Sequence, residues 1–284
     1  MKRNLISGTG QSCLAIAALA LLTATSQAAL YGVSFFNNEL FTVDPATGAG
    51  TVVTTFPENV GAYGLSAVGN SLFTFNANKD VVQEINPFTG AIVRDISIGI
   101  GDRIGEGDIA FGSAGTGFIA SALNGSDFSL DNGLYAFNIL TGTSSRVGTT
   151  TLAGNGLAID GLAFTGGTLY GLSMDAAPSL YTINPATAEL TLVSALNFGS
   201  YSFAGGSAFS GLTAGAAAGS LYAALDDRLF TINIADGTTT PADLNTMDFG
   251  FSGVSGLANS AVPEPGATLL GMLSLGLLAR RRRR

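Results

Sequence analysis

Three acidic residues near the middle of the chain are the first candidates for a chemical site: Glu106, Asp108 and Asp160. Each lies beside a glycine, at the start of a short apolar segment that is typical of a β-strand. Carboxylate oxygens are the ligands that Ca²⁺ prefers, so a cation site is a candidate if the fold brings the three together at an axis. The alternative is that these carboxylates are hydrated or hydrogen-bonded to loop amides. No other cofactor is expected.

A catalytic site is the second possibility. It would need Tyr63 and Arg103 to converge with the same three carboxyl groups, because paired carboxylates about 6–10 Å apart can cleave glycosidic bonds. Ser207 and Ser255 are further polar residues near predicted innermost strands. The chain has no histidine, and its single cysteine is Cys13, so the commonest general base and the thiol nucleophile are excluded from the body.

A strand followed by a tight turn recurs five times along the chain. The copies read LFTVDPATG, VQEINPFTG, LYAFNILTG, LYTINPATA and LFTINIADG, with turn residues Asp44, Asn86, Asn138, Asn184 and Asn233. An Asn or Asp side chain opens such a turn, and a following proline fixes the backbone. A period of about 40–50 residues with several short strands per unit is typical of propeller blades.

A second motif precedes each hairpin and completes the unit. Its clearest copy is GLAFTGGTLYGLS, Gly161 to Ser173, so each unit predicts four strands. The segment after residue 28, ALYGVS, matches the second strand of a unit, and GVSGLA at residues 253–258 matches the first. The sequence therefore predicts an all-β, five-bladed β-propeller over residues 29–260, closed by pairing of the N- and C-terminal strands, which removes exposed sheet edges.

The first 28 residues have the three parts of a secretory signal peptide. A basic start, Met1 to Arg3, precedes the apolar run CLAIAALALL, and small residues precede a cleavage point between Ala28 and Ala29. The alternative is that the apolar run is a buried helix of the fold.

The last 24 residues, 261–284, also have three parts in order. The motif of residues 262–265 contains Pro263, Glu264 and Pro265, the apolar segment spans 266–279, and five arginines fill 280–284. An apolar segment followed by arginines predicts a transmembrane helix whose positive end stays in the cytoplasm. About 14 residues is short of the roughly 20 that a bilayer core needs, so snorkelling arginines are expected to help.

This order of motifs resembles the PEP-CTERM sorting signal of Gram-negative bacteria. In that family a membrane-embedded exosortase recognises the Pro-Glu-Pro motif and cleaves nearby, and the proteins are associated with exopolysaccharide production and the cell surface. The resemblance implies that Pro263, Glu264 and Pro265 form the recognition motif. It implies exosortase, the secretion machinery and extracellular polysaccharide as partners. It also implies export through the inner membrane to the cell surface or matrix, with transient membrane anchoring.

The body between the two ends is strongly acidic. Residues 29–260 hold five basic and 19 acidic side chains, a formal charge of −14. Nucleic acid is not an expected partner, because phosphate contacts need clustered lysines and arginines. The main hypothesis is a secreted surface or matrix protein that acts as a non-catalytic binding or structural module, linked to exopolysaccharide or biofilm. The alternative is a secreted lyase or hydrolase with an axial acidic site.

Overall fold

The structure is a computed structural model. It describes residues 28–57, 62–100, 104–113, 115–123, 129–173, 178–198, 210–225, 228–241 and 253–263. All regular elements among these residues are strands, and Ala28–Val262 forms one compact unit. Among the same residues, no helix has the length and apolar character needed to cross a bilayer. Residues 1–27 of the predicted signal peptide, and the predicted membrane helix 266–279, lie outside the described residues.

Five four-stranded antiparallel sheets make up the body, and each is one blade. Blade one contains β1 (Ala28–Ser34), β2 (Glu39–Val43) and β3 (Gly50–Thr55). Blade two contains β4 (Ala62–Val68), β5 (Ser71–Asn76), β6 (Val81–Ile85) and β7 (Ile92–Ser97). Blade three contains β8 (Glu106–Ser113), β9 (Thr116–Leu123), β10 (Leu130–Asn138) and β11 (Thr143–Thr149).

A small two-stranded sheet that the sequence did not predict comes next, formed by β12 (Thr151–Leu152) and β13 (Asn155–Gly156). Blade four contains β14 (Gly161–Thr165), β15 (Thr168–Ser173), β16 (Ser179–Ile183) and β17 (Leu190–Ala195). Blade five contains β18 (Ser210–Ala214), β19 (Ser220–Leu225), β20 (Arg228–Asn233) and β21 (Thr239–Pro241). The last strand, β22 (Val254–Pro263), returns to blade one as its innermost strand. The prediction of five four-stranded blades is confirmed.

Blade one closes the ring from both ends of the chain, as predicted. Its strand order is β22-β1-β2-β3, and the amide of Phe35 donates to the carbonyl of Gly253 at 2.8 Å where β22 begins. Ala28 is the exposed first residue of β1 and Ala29 is already buried. Strand β22 continues to Pro263, three residues past the predicted end of the body, while Glu264 and Pro265 lie outside the described residues.

The connections between strands divide the body into two faces. We call the face on which each innermost strand begins the upper face. The lower face carries the hairpins between first and second strands and the turns between third and fourth strands. Because β22 and β1 are neighbours in blade one, the body begins at Ala28 and ends at Pro263 on this same lower face.

The core lies between neighbouring blades, where the inward faces of adjacent sheets meet. Between blades two and three, the Phe111 ring lies 4.9 Å from the Phe73 ring and 5.0 Å from the Phe137 ring. Such aromatic pairs favour tilted and edge-to-face packing and contribute beyond their buried area. Alternate residues of each strand therefore belong to different inter-blade layers, and the layers hold the blades in sequence.

The recurring turn forms as its residues predict. The Asn184 side-chain oxygen accepts from the amide of Ala186 at 2.9 Å, and its carbonyl accepts from the amide of Ala188 at 2.8 Å. The last turn residue has a positive φ in all five copies: Gly48, Gly90, Gly142, Ala188 and Gly237. Glycine adopts this conformation without steric cost, whereas the methyl group of Ala188 strains it.

The alanine in blade four is matched by a glycine in blade three. Between blades four and five, a Cβ on Gly237 would overlap the Ser194 side chain, so the serine fills the space beside the turn. Between blades three and four, Gly148 stands at the ladder position of Ser194, and the Ala188 methyl occupies the space instead. A Cβ on Gly148 would lie 3.1 Å from the Thr187 carbonyl oxygen and 3.5 Å from the Ala188 Cβ.

The two residues are therefore expected to be energetically coupled. Gly148→Ser alone should lower the free energy of unfolding by about 1–3 kcal/mol, because it overpacks the interface. Combining it with Ala188→Gly recreates the arrangement of blades four and five, and should recover about 1 kcal/mol or more of the loss. Urea unfolding of both single variants and the double variant measures this coupling. Additive losses would contradict it.

Candidate functional site

The innermost strands of the five blades meet at one level of the axis, and each has a glycine there: Gly64, Gly107, Gly161, Gly211 and Gly256. A Cβ on Gly211 would lie 2.6 Å from the Leu257 amide nitrogen of the next blade. One on Gly256 would lie 2.7 Å from the Cα of Gly64. Backbone therefore packs directly on backbone, which only glycine allows, and the axis is tightly packed at this level.

The residue after the axial glycine differs in one blade. It is leucine in four blades, at Leu65, Leu162, Leu212 and Leu257, and aspartate in blade three, at Asp108. This single polar exception among aligned copies was visible in the sequence. The sequence analysis named Asp108 only as a possible ligand and missed what the exception means.

The Asp108 carboxylate joins the inner strands of several blades. It is fully buried, and one oxygen accepts from the amides of Leu162 at 2.8 Å and Leu212 at 3.1 Å. The other oxygen accepts from the amide of Ile109 at 2.8 Å, and the Leu65 amide also donates to the carboxylate. One side chain therefore binds blade three to blades two, four and five through backbone amides.

Burial raises the pKa of the Asp108 carboxyl well above its usual range, and the four donated hydrogen bonds offset part of this increase. These partners are all N–H donors, which suit an anion. Among the described residues, no group of three or more acidic, histidine or cysteine side chains could hold a metal ion. For Asp108, the geometry matches the alternative in which the carboxylate is bonded to backbone amides.

Glu106 lies two residues earlier, at the upper end of the same strand, and is half-buried. Burial raises the pKa of its carboxyl. Burial, together with the negative charge of Glu106, raises the pKa of Tyr63 to about 12. The Tyr63 hydroxyl therefore keeps its proton at physiological pH and remains a hydrogen-bond donor, while Glu106 offers acceptor oxygens beside it.

Three aromatic residues form a shelf near Glu106, which we call the aromatic shelf: Phe35, Phe36 and Tyr63. The Phe35 ring lies 5.3 Å from the Tyr63 ring and 5.6 Å from the Phe36 ring, the latter edge-on. Phe36 is 62% exposed. A Cβ on Gly253 would overlap the Phe36 ring, so this glycine makes room for it. The upper mouth of the axis thus combines an exposed apolar ring with a hydroxyl donor and a carboxylate acceptor.

The other predicted residues are dispersed. Asp160 is half-buried just before the axial glycine of blade four, and Ser255 is buried at the same place in blade one. Arg103 and Ser207 lie outside the described residues. In blade five the corresponding backbone position belongs to Ser210 rather than Ser207, because the inner strand begins later than the sequence indicated.

Replacing Asp108 is expected to weaken the whole ring. Asp108→Leu makes blade three match the other four copies, yet it leaves buried amides without an acceptor, at about 1–3 kcal/mol for each. Asp108→Asn should destabilise less, since one oxygen remains while the new NH₂ group faces backbone donors. Chemical unfolding measures both, with Asp131→Asn as control, because that carboxylate forms only a partly exposed ion pair with Arg146. An Asp108→Leu variant as stable as the parent would contradict the role given to Asp108.

Comparisons with known proteins support the fold at a distance. No known family profile matches the chain, and no curated protein sequence matches it. A gluconolactonase from Xanthomonas campestris is similar in structure, with a TM-score of 0.50 and 13% identity, over 80% of this chain and 78% of that one. A chain of the nidogen–laminin complex matches with a TM-score of 0.47 and 13% identity, over 82% of this chain and 98% of that one. At 13% identity, the gluconolactonase match shows that the two chains share the propeller fold.

Proposed function

We propose that this protein is a secreted, exosortase-sorted protein of the cell surface or extracellular matrix, in which the propeller is a non-catalytic binding and structural module. The single observation that carries the proposal is the state of Asp108. The most buried carboxylate of the axis is bonded to four backbone amides, so it serves the ring and is not available for proton transfer.

A catalytic alternative finds less support. The gluconolactonase that shares the fold suggests lactone hydrolysis as one activity for a propeller of this kind, but a shared fold does not imply shared chemistry. Of the five residues that an acidic active site would need, Tyr63 and Glu106 lie close together and Asp108 is enclosed below them. A two-carboxylate mechanism needs both groups open to the substrate, which Asp108 is not.

The surface best suited to binding is the upper mouth of the axis. Exposed Phe36 offers an apolar ring face, Tyr63 a hydroxyl and Glu106 a carboxylate. Sugars present apolar C–H faces together with hydroxyl groups that donate and accept, so this combination suits a neutral polysaccharide. A highly acidic polysaccharide suits it less, because the body itself carries a formal charge of −14.

The binding half of the proposal is tested by removing the aromatic ring. Phe36→Ala should weaken retention on exopolysaccharide from the producing bacterium by roughly three- to tenfold, the value of one aromatic contact. Leu130→Ala is the matched control, because Leu130 is an exposed apolar residue at the upper end of β10. Equal retention of both variants and the parent would exclude Phe36 from the binding surface.

The sorting half of the proposal is tested on the Pro-Glu-Pro motif. Pro263→Ala combined with Pro265→Ala should leave full-length protein in the membrane fraction, because exosortase would no longer recognise its motif. Immunoblots of membrane and medium fractions measure this. Pro185→Ala, at an exposed turn of the body, is the control and should be processed normally. Normal processing of the double variant would defeat the sorting proposal.

A further inference from the structure

The two faces of the propeller differ in charge. On the upper face, the described residues include five acidic side chains: Glu39, Asp80, Glu106, Asp131 and Asp160. Two basic side chains, Lys79 and Arg228, accompany them. The upper face is therefore a poor surface for approach to an anionic bilayer, since like charges repel.

The lower face is nearly uncharged and carries apolar side chains. Its described turns and hairpins contain no lysine or arginine, and their acidic residues are Asp44, Glu189 and Asp236. Most other positions in these turns are Thr, Asn, Ala, Gly or Pro. Two neighbouring turns expose large apolar side chains at the same turn position, Phe88 in blade two and Leu140 in blade three, and Leu140 is 75% exposed.

The chain also leaves the body on this lower face. Strand β22 ends there at Pro263, and the apolar segment begins at Gly266. A chain spans at most about 3.3–3.6 Å per residue, so three residue steps reach about 10 Å. If residues 266–279 enter a bilayer, the end of β22 must lie within that distance of it.

We propose that the lower face lies against the bilayer surface while the chain is anchored, with Phe88 and Leu140 in the interfacial layer. This rests on the proposed membrane anchoring and specifies the orientation that anchoring imposes. Apolar turn tips gain free energy at the boundary between headgroups and acyl chains. The short tether and the nearly uncharged turns favour this face, while the acidic upper face and its aromatic shelf point away from the membrane.

The chain allows a clean test of orientation, because Cys13 is its only cysteine. In a Cys13→Ser background, Leu140→Cys and Leu130→Cys place single thiols on the same blade at opposite faces. The two leucines are matched, since they are 75% and 74% exposed. Each full-length variant is labelled with an environment-sensitive fluorophore and reconstituted into vesicles of phosphatidylethanolamine with a minority of phosphatidylglycerol. Lipids that carry a quencher near the headgroup then report contact.

The label at residue 140 should be quenched about twofold or more strongly than the label at residue 130, and its emission should shift to the blue, as expected for an interfacial site. Phe88→Cys should behave like Leu140→Cys. If the protein floats with the vesicles but labels at 140 and 130 are quenched equally, the orientation is wrong and anchoring survives. If the protein does not float with the vesicles, anchoring fails, and the orientation fails with it.

Discussion

The inner strands of this propeller approach so closely that their backbone amides need an acceptor at the axis, and one carboxylate meets that need. Axial glycines remove the side chains that would hold the strands apart, which brings amides of neighbouring blades toward a common point. A buried amide without a partner is costly. Asp108 accepts from amides of its own blade and three others, so the ring depends on breaking its own repeat once.

Features that repeat were predictable from the sequence, and features that occur once were not. The turn at Asn184 is specified by local chemistry and recurs five times, so strand count, blade count and ring closure could all be predicted from the spacing. The role of Asp108 depends on amides that lie 54 and 104 residues away along the chain, which no local pattern reveals. The one available signal was an aspartate at a position that is leucine in the other copies.

The same distinction applies to the candidate binding surface. Phe36 and Tyr63 come from different blades, and their proximity follows from Phe35 lying between them at the upper face. The sequence placed Tyr63 near the axis but gave no reason to join it to Phe36. The pair Gly148 and Ala188 is a further case, because each residue departs from its repeat and only the inter-blade contact explains both departures.

Closure of blade one by β22 has a consequence for the timing of folding. The innermost strand of the first blade is made last, so four blades can form locally while the first still lacks the strand that faces the axis. Ring closure therefore joins residues that are more than 200 positions apart, the slowest kind of contact to establish. A chain that crosses a membrane in extended form can complete its ring only after residues 254–263 have emerged. Completion of the fold would then report that translocation has reached the C-terminal segment.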